Sequence, residues 1–215
     1  MPSAEFTIVH NLVADIFTIP NPESADFKII LDKAVDALAS GKIIAMPSDT
    51  LYGLFGCYQK KQIQNLHLLK KRPLDKPFLL TFPETLTLNS FVDFGDTGLQ
   101  PYHDLTNKIS ELWPGRNSIV FRKNPLLEYP PGPTIAIRKP SEKDNIFFYN
   151  VLKKLNEPLL APSLNLHGDQ PLDQLDDIVN TFGESVDLIF FDPAFKPSNP
   201  SQLWDLTKKP YIRLR

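Results

Sequence analysis

The sequence predicts one α/β domain with a mixed β-sheet and flanking helices. Three observations lead to this prediction. A chain of 215 residues with 42% hydrophobic content suits one sizeable core. Apolar residues at helical spacing alternate with short apolar runs, and toward the end of the chain the short runs become more frequent, which favours a mixed sheet over a fully parallel one.

The first predicted helix and strand lie between residues 30 and 46. Apolar residues from Ile30 to Leu38 recur at helical spacing, and Gly41 follows them. Glycine is typical just after the end of a helix, where the backbone adopts a left-handed conformation. We therefore expect a helix ending before Gly41 and a short buried strand over Lys42–Met46.

The second helix and strand lie between residues 63 and 82. Ile63, Leu66 and Leu69 mark the apolar side of a helix. Pro73 disfavours a helical conformation in the residue before it, so this helix should end near Lys71. The run Phe78–Phe82 is then predicted to be a strand.

The rest of the chain continues the alternation. We expect helices over Leu105–Leu112, Asp144–Leu155 and Leu175–Phe182, and strands over Ser118–Phe121, Thr134–Arg138, Pro158–Ala161, Leu188–Phe191, Gln202–Asp205 and Tyr211–Leu214. The 21 prolines fall mostly at the ends of these elements, where they stiffen connections. No interdomain linker is evident, so residues 1–215 are expected to form a single domain.

Composition excludes several classes of protein. A net charge of −2 and a pI near 6.1 disfavour a protein that coats nucleic acid. The single cysteine, Cys57, permits no intramolecular disulfide. No run approaches the roughly 18 consecutive apolar residues of a membrane span, and the N-terminus lacks a signal-peptide pattern. We expect a cytoplasmic protein without membrane contact.

Common catalytic signatures are missing from the sequence. It contains no phosphate-binding P-loop, no dinucleotide-binding glycine motif, no nucleophile elbow and no zinc-protease motif. The histidines, His10, His67, His103 and His167, lack the spacing of metal ligands. Cys57 could be a nucleophile, but a single cysteine beside a strand is more often a small buried hydrophobic residue.

The segment MPSDTLYGLFG, residues 46–56, is the first candidate for a binding site. It follows an apolar run, is too polar for a core, and has too many small residues for an ordinary solvated turn. This pattern predicts a pocket for a small molecule.

A cluster of cations follows the second predicted helix: Lys70, Lys71, Arg72 and Lys76. It could simply complement the dipole at the C-terminal end of the helix. Alternatively it could bind phosphates, with the planar guanidinium of Arg72 and mobile charges on Lys70 and Lys76.

Two later segments also end in polar residues. In APSLN, residues 161–165, Ser163 and Asn165 would lie on one side of an extended chain and could bind one ligand together, although the segment could also be an Asx turn. Arg138 ends an apolar strand, where burial would require an anionic partner, either a ligand or a structural carboxylate.

Taken in order, these segments resemble a known family. PSDTLYGL, KKRPLDKP, LWPG, TIAIR, APSLNLHG, PSQLWD and IRLR are similar in sequence and separation to the motifs of the threonylcarbamoyl-AMP synthase family, which has the YrdC-like fold. The resemblance extends from about residue 25 to the end of the chain. It implies a twisted sheet with a large concave cavity, and no C-terminal extension domain such as longer members carry.

The resemblance also implies a reaction. L-threonine, bicarbonate and ATP would yield threonylcarbamoyl-AMP and pyrophosphate, with Mg²⁺ assisting. The product is the donor for threonylcarbamoyladenosine in tRNA, so a tRNA contact and downstream threonylcarbamoyl transferase proteins are implied partners. The carbamate of threonine can itself attack the α-phosphate, which explains why no protein nucleophile was found.

Matching the family residue by residue gives the expected site. The threonine-binding positions fall on Thr50, Thr81, Arg138, Ser163 and Ser201. The ATP-binding positions fall on Arg72, Lys76, Thr134, Asn165, Asp173 and Arg213, with Lys70 and Arg72 as the catalytic pair.

The chain departs from the family pattern at several of these motifs. Ser48 replaces a threonine and keeps a hydroxyl, whereas Thr81 replaces a histidine and shortens the reach toward the amino acid. Leu164 replaces a smaller residue, although alternation along a strand would turn it away from the ligand. Residues 116–118 replace a Pro-containing pattern, and Asp173 introduces a negative charge near the phosphates.

Two alternatives use the same fold. The chain could be a non-catalytic module that binds tRNA or double-stranded RNA through Lys70, Lys71, Arg72, Lys76 and Arg116. It lacks the large basic excess and aromatic motif of common RNA binders. It could also form carbamoyl-AMP from carbamoyl phosphate, as related domains of much larger proteins do.

Overall fold

A computed structural model describes residues 13–83, 85–95 and 101–215 of the chain. Within these ranges the helices are α1 (Ala25–Ala39), α2 (Lys60–Leu69), α3 (Pro101–Leu112), α4 (Ile146–Leu155) and α5 (Leu175–Phe182). The strands are β1 (Asp15–Thr18), β2 (Ile44–Pro47), β3 (Tyr52–Cys57), β4 (Leu80–Thr81), β5 (Asn117–Arg122), β6 (Thr134–Arg138), β7 (Leu159–Leu160), β8 (Leu188–Phe191), β9 (Gln202–Asp205) and β10 (Ile212–Arg213).

The described strands form one sheet in the order β1-β8-β2-β3-β7-β4-β6-β5-β9-β10. The pairs β1–β8, β2–β8, β4–β6 and β5–β9 are parallel. The pairs β2–β3, β3–β7, β4–β7, β5–β6 and β9–β10 are antiparallel. The prediction of a mixed α/β sheet is therefore confirmed.

The predicted elements agree with the structure to different degrees. The bounds of α5, β6, β8 and β9 coincide with those predicted from the sequence. Strand β4 is shorter than predicted, because only two residues of Phe78–Phe82 pair with neighbouring strands. Two strands, β1 and β3, were not predicted at all.

Helix α1 ends just before Gly41, as predicted. Gly41 has a φ of +83°, and its N–H donates to the carbonyl of Leu38 at 2.9 Å. At the other end, the Ser24 side chain accepts a hydrogen bond from the Asp26 N–H at 3.2 Å. Glycine adopts the left-handed conformation without strain, so it ends the helix there.

Residues of the inner strands alternate between the two faces of the sheet. In β2, Ile44 and Met46 contribute to one apolar cluster, and Ala45 contributes to the other. Helices α1 and α4 pack on the first face, and residues of α2, α3 and α5 join the cluster on the second. Because both faces are covered, β2 and β3 are buried at every residue and do not alternate with polar residues.

The region before and within β3 corrects a prediction. Residues 46–56 were expected to be too polar for the core, yet Ser48, Asp49 and Thr50 are 4%, 1% and 4% exposed, and every residue of β3 is buried. The Ser48 hydroxyl donates to the Leu51 carbonyl at 2.7 Å and accepts from the Thr50 N–H at 3.1 Å. Such local hydrogen bonds make the burial of polar residues tolerable.

Cys57, in β3, is a small buried residue, as the sequence favoured. Its thiol is fully buried and donates to the carbonyl of Leu38 at 3.2 Å. Burial raises the pKa of this thiol to about 11, which opposes a role as a nucleophile. Among the described helices, none combines the length and apolar character needed to cross a membrane.

Candidate active site

A cavity of about 380 Å³ opens where five distant segments meet. These segments are the β2–β3 turn with β3, the chain after α2, the end of β6, the chain after β7, and the chain around β9 and the C-terminus. Its polar and charged lining consists of Ser48, Thr50, Tyr52, Lys70, Arg72, Arg138, Ser163, Asn165, His167, Asp169, Ser201 and Arg215. Its volume lies within the range of roughly 300–1,000 Å³ typical of small-molecule sites.

The β2–β3 turn brings Thr50 to the wall of this cavity. Ser48 fixes the turn through its hydrogen bonds, and the Thr50 hydroxyl lies 3.4 Å from the Ser48 hydroxyl. The Thr50 carbonyl accepts a hydrogen bond from the Ser198 N–H at 2.8 Å. The turn is therefore held from within and from the segment before β9.

Gly53 lies next to this turn, in β3, and also lines the cavity. A Cβ at this position would lie 2.7 Å from the Phe55 ring and 3.1 Å from the Pro162 carbonyl oxygen. The Leu54 N–H donates to the same carbonyl at 2.9 Å. The Phe55 ring and the close approach of the chain after β7, which also lines the site, thus favour glycine at this position.

Lys70 is buried at the C-terminal end of α2, with 2% exposure. Its ammonium donates to the Ser163 carbonyl at 2.5 Å, the Asn165 carbonyl at 2.6 Å and the Asn165 side-chain oxygen at 2.9 Å. Burial, followed by the charge of Arg72, lowers the pKa of Lys70 to about 8. The expectation of a mobile charge at Lys70 is therefore wrong, because this ammonium is fixed between two segments of the chain.

Arg72 lies at the cavity wall and is anchored by the chain that follows it. Its Nε donates to the Lys76 carbonyl at 2.7 Å, and its Nη2 donates to the Pro77 carbonyl at 3.2 Å. The guanidinium also lies over the Phe78 ring, 5.5 Å from its centroid. These contacts orient the planar group at the wall of the cavity.

Ser163 and Asn165 face the same side of the chain, as predicted. The Ser163 hydroxyl donates to the Asn165 side-chain oxygen at 2.6 Å, and the Asn165 amide donates to the Asp169 carbonyl at 2.6 Å. Leu164, between them, is fully buried in the core. The expectation that alternation turns Leu164 away from the ligand is confirmed.

Arg138 pairs with a structural carboxylate and also reaches the cavity. Its Nη2 lies 3.0 Å from Asp49 Oδ1, and the two side chains are 6% and 0% exposed. Arg138 lines the cavity as well. The role of Asp49 was not predicted from the sequence, because nothing in the spacing of residues 49 and 138 indicates that they meet.

Ser201 is buried in the cavity wall and is held by a second serine. The Ser201 hydroxyl lies 2.8 Å from the hydroxyl of Ser118, and both residues are buried. Strand β5 places Ser118 there, because it pairs with Arg138 on one side and with Leu203 on the other. Sequence reasoning noted Ser118 only as a departure from the family pattern.

The structure brings most of the expected site residues into this one cavity. The expected residues that line it are Thr50, Lys70, Arg72, Arg138, Ser163, Asn165 and Ser201. They come from segments separated by up to about 150 positions in the chain, so their meeting is a property of the fold and not of local sequence.

Two of the expected binding residues, one for threonine and one for ATP, lie away from the cavity wall. Thr81 is fully buried in β4, beside Arg138 in register, with its hydroxyl 3.5 Å from the Leu159 carbonyl. Thr134 is exposed at the opposite end of β6 from Arg138, about 13 Å away at the usual rise per residue. It lines a different cavity, together with Lys123.

Lys76 and Asp173 are also outside the wall, and both are exposed. The Lys76 ammonium lies 3.5 Å from Nε2 of His167, which does line the cavity. Lys76 is therefore near the entrance. The Asp173 carboxylate accepts a hydrogen bond from the Gln174 side chain at 2.9 Å. Its charge contributes to the raised pKa of Tyr52, which does line the cavity.

At the C-terminus, the arginine that lines the cavity differs from the one expected. Arg213, the expected ATP-binding residue, is exposed in β10 and is absent from the described lining of the cavity. Arg215 lines it instead, and its Nε donates to the Ser201 carbonyl at 3.2 Å. Arg213 in β10 pairs with Trp204, whereas Arg215 lies two residues beyond that strand and contacts Ser201.

The cations proposed as an RNA-binding patch do not share one surface. Lys70 is buried, whereas Lys71 and Lys76 are exposed. Arg116 lies in another cavity, where its Nε is 2.9 Å from Asp144 Oδ1. In the described part of the chain, no three His, Cys, Asp or Glu side chains are grouped so that they could hold a metal ion.

Comparison with known proteins identifies the family of the chain. The model of the Sua5/YciO/YrdC family, described as Telomere recombination, matches residues 36–215. Threonylcarbamoyl-AMP synthase of Wigglesworthia glossinidia brevipalpis is 28% identical over 197 residues, covering 87% of this chain and 92% of that protein. The enzyme of Vibrio vulnificus (strain YJ016) is 26% identical over 195 residues, covering 85% and 97%.

Two solved structures share the fold. Escherichia coli YciO superposes with a TM-score of 0.72 at 22% identity, covering 94% of this chain and 95% of that one. P. abyssi Sua5, complexed with L-threonine, superposes with a TM-score of 0.76 at 20% identity. The superposition covers 93% of this chain but only 56% of that protein. Because the family model matches most of the chain, the chain belongs to the Sua5/YciO/YrdC family.

Proposed function

We propose that this protein is an L-threonylcarbamoyl-AMP synthase, which converts L-threonine, bicarbonate and ATP to threonylcarbamoyl-AMP and pyrophosphate. Membership of the family and the names of its relatives support this activity. The observation that carries the proposal is the single cavity in which hydroxyls, the Lys70 ammonium and the guanidinium groups of Arg72 and Arg138 converge.

The threonine end of the site would be built around Arg138. A guanidinium binds a carboxylate through two parallel charge-assisted hydrogen bonds, so Arg138 suits the α-carboxylate of threonine. Thr50, Ser163 and Ser201 place hydroxyls on the same wall. A hydroxyl can both donate and accept a hydrogen bond, so these three can bind the substrate's hydroxyl and carboxylate.

The ATP end would lie toward the other cations. Arg72 is oriented at the wall, and Arg215 enters it from the C-terminus. Lys76, near the entrance beside His167, could reach the outer phosphates. Asp173, whose charge would repel phosphates, lies outside the described lining, so the unfavourable contact suggested by the sequence is not required.

The chemistry needs positioning and charge more than a protein nucleophile. The amine of threonine and bicarbonate form a carbamate and release water. A carbamate oxygen then attacks the α-phosphorus of ATP, and the bond to the β-phosphate oxygen breaks to release pyrophosphate. Arg72 and Lys70 would stabilise the negative charge that develops on the transferred group and on the leaving pyrophosphate.

Lys70 contributes in two ways under this proposal. It holds the chain that carries Ser163 and Asn165, and it places a positive charge within the cavity wall. Mg²⁺ would enter as part of the Mg–ATP substrate and offset further phosphate charge. The activated product would pass to tRNA through separate threonylcarbamoyl transferase proteins.

The test is a pyrophosphate-release assay with purified protein. We expect release that depends on L-threonine, bicarbonate and ATP together, and a fall of at least about 100-fold in the variant Arg72→Ala, since one preorganised charge of this kind contributes that much. Arg122→Ala is a matched control, because Arg122 is exposed and its Nε donates to the Thr207 carbonyl outside this cavity.

Each alternative function gives a different result in the same assay. ATP consumption with carbamoyl phosphate, and none with threonine and bicarbonate, would indicate a carbamoyl-AMP enzyme. No ATP consumption, with tRNA binding that weakens steeply with salt, would indicate the RNA-binding module. Either outcome would contradict the proposed synthase.

A further inference from the structure

The buried pair formed by Arg138 and Asp49 joins two separate parts of the molecule. Arg138 ends β6, and Asp49 belongs to the turn between β2 and β3. Their atoms Nη2 and Oδ1 lie 3.0 Å apart, and the Asp49 side chain is fully buried. The pair thus fixes the end of β6 to the turn that carries Thr50.

The two members of the pair face different cavities. Arg138 lines the candidate active site, whereas Asp49 lines a second cavity of about 350 Å³ together with Arg116, Asp144 and Asp192. The described linings of the two cavities share no residue. A ligand in the active site would therefore touch Arg138 but not Asp49.

The charges of the pair are incompletely compensated by the surrounding protein. Within the described part of the chain, both carboxylate oxygens of Asp49 and Nε of Arg138 are buried without a hydrogen-bond partner, so the 3.0 Å contact is an ion pair whose angles do not suit a hydrogen bond. Burial raises the pKa of the Asp49 carboxyl, and the charge of Arg138 opposes that rise. Buried polar groups usually have partners, so such a pair calls for a functional reason.

A guanidinium offers five N–H donors in one rigid plane. When one Nη is committed to a fixed carboxylate, rotation of the whole plane is restricted. The donors that remain are then presented in a defined direction. A carboxylate needs this arrangement, because two parallel hydrogen bonds form only when the two planar groups are aligned.

We propose that Asp49 is a positioning residue for substrate recognition, which orients the Arg138 guanidinium toward the carboxylate of the amino acid without touching that substrate. This inference rests on the proposed function. It adds a residue with a defined role in amino-acid binding that acts only through Arg138.

Titration of the wild-type protein and its variants with L-threonine, and separately with ATP, tests the inference by calorimetry. We expect Asp49→Asn to weaken threonine binding about tenfold, because the amide keeps the shape but removes the charge-assisted contact. Binding of ATP should stay within about twofold. Asp192→Asn is the matched control, since Asp192 lines the same second cavity as Asp49 and its carboxylate accepts only from the Ala194 N–H among the contacts described.

A double-mutant cycle separates positioning from general damage to the fold. If Asp49 acts through Arg138, Asp49→Asn should have little further effect on threonine affinity in the Arg138→Lys background. Equal threonine affinity in the wild type and Asp49→Asn would overturn this inference alone. Absence of threonine binding in the wild type would overturn it together with the proposed function.

A measurement on the wild type covers the case in which Asp49 variants do not fold. Nitrogen NMR of the arginine side chains, with Arg138 assigned by comparison with Arg138→Lys, reports rotation of the guanidinium. We expect separate Nη signals for Arg138 before any ligand is added. A single averaged signal in the free protein would overturn the proposal, because the group would not be held.

Discussion

The ammonium of Lys70 donates to both the backbone carbonyl and the side-chain oxygen of Asn165, a residue 95 positions further along the chain. Together with the bond to the Ser163 carbonyl, this contact makes Lys70 the link between the chain after α2 and the chain after β7. Both segments line the candidate active site. The geometry of this cavity should therefore depend on one buried ammonium.

Replacing Lys70 should remove both the charge and this link. For Lys70→Met we expect pyrophosphate release to fall by at least about 100-fold, in line with the loss of one preorganised charged group. Lys71→Ala provides the control, because Lys71 is adjacent in sequence but exposed. A Lys70→Met protein that retains near-normal activity would contradict the role given to Lys70.

The pKa of Lys70 gives a pH dependence with a definite sign. Burial lowers this pKa from 10.5 to about 8, so the cationic form is lost as the pH rises through about 8. We expect the rate of pyrophosphate release to decline above that pH. Between about pH 8 and 10.5 the unfolded chain binds more protons at Lys70 than the folded protein, so the contribution of Lys70 to the free energy of unfolding increases with pH.

This opposition between activity and stability can be measured. Rate profiles and chemical denaturation at each pH should be recorded for the wild type and for Lys70→Met. The variant should lack both trends, since it cannot titrate at this position. A rate that stays constant from pH 7 to pH 10 in the wild type would contradict a requirement for the charged form.

The choice between the two C-terminal arginines is a direct test of the structure against the sequence pattern. We expect Arg215→Ala to raise the KM for ATP about tenfold, because its guanidinium lies at the cavity wall beside Ser201 and would contribute a charge-assisted contact. Arg213→Ala, in exposed β10, should change this KM by less than about twofold. The reverse order of the two effects would return the role to Arg213.

Gly53 and Gly56 offer a matched pair of substitutions in one strand. Gly53→Ala would place a Cβ 2.7 Å from the Phe55 ring and 3.1 Å from the Pro162 carbonyl. We expect it to lower the free energy of unfolding by about 1–3 kcal/mol through overpacking. Gly56→Ala, whose nearest contact would be Gln62 Cβ at 3.2 Å, should be milder because this contact is less close. Urea denaturation gives the free energy of unfolding of both variants. Equal losses of this free energy would contradict the packing explanation.

Local patterns predicted most of the regular elements, because their signals lie within short windows of sequence. Helix α5 and strand β6 have the bounds expected from apolar spacing and from the TIAIR run. Strand β3 was missed because its glycines and tyrosine suggested a turn, and their fit depends on contacts with the distant Pro162 and with Phe55. A residue pattern alone cannot report such contacts.

The site was predictable to the extent that family motifs mark positions. Thr50, Ser163 and Asn165 reach the cavity because their motifs begin or end strands there. The pairing of Asp49 with Arg138 could not be inferred, since it depends on how β6 is placed relative to the β2–β3 turn. The sequence pattern likewise could not show that Arg215, two residues beyond β10, lies at the cavity wall.

The burial of Lys70 also makes this side chain a natural reporter of motion. Reagents that acylate primary amines would reach the exposed Lys71 and Lys76 readily, whereas the Lys70 amine is 2% exposed and bound to three oxygens. Labelling at Lys70 therefore requires the chain around Ser163 and Asn165 to separate from α2. The time course of that labelling, read by mass spectrometry, would measure how often these two segments of the chain separate.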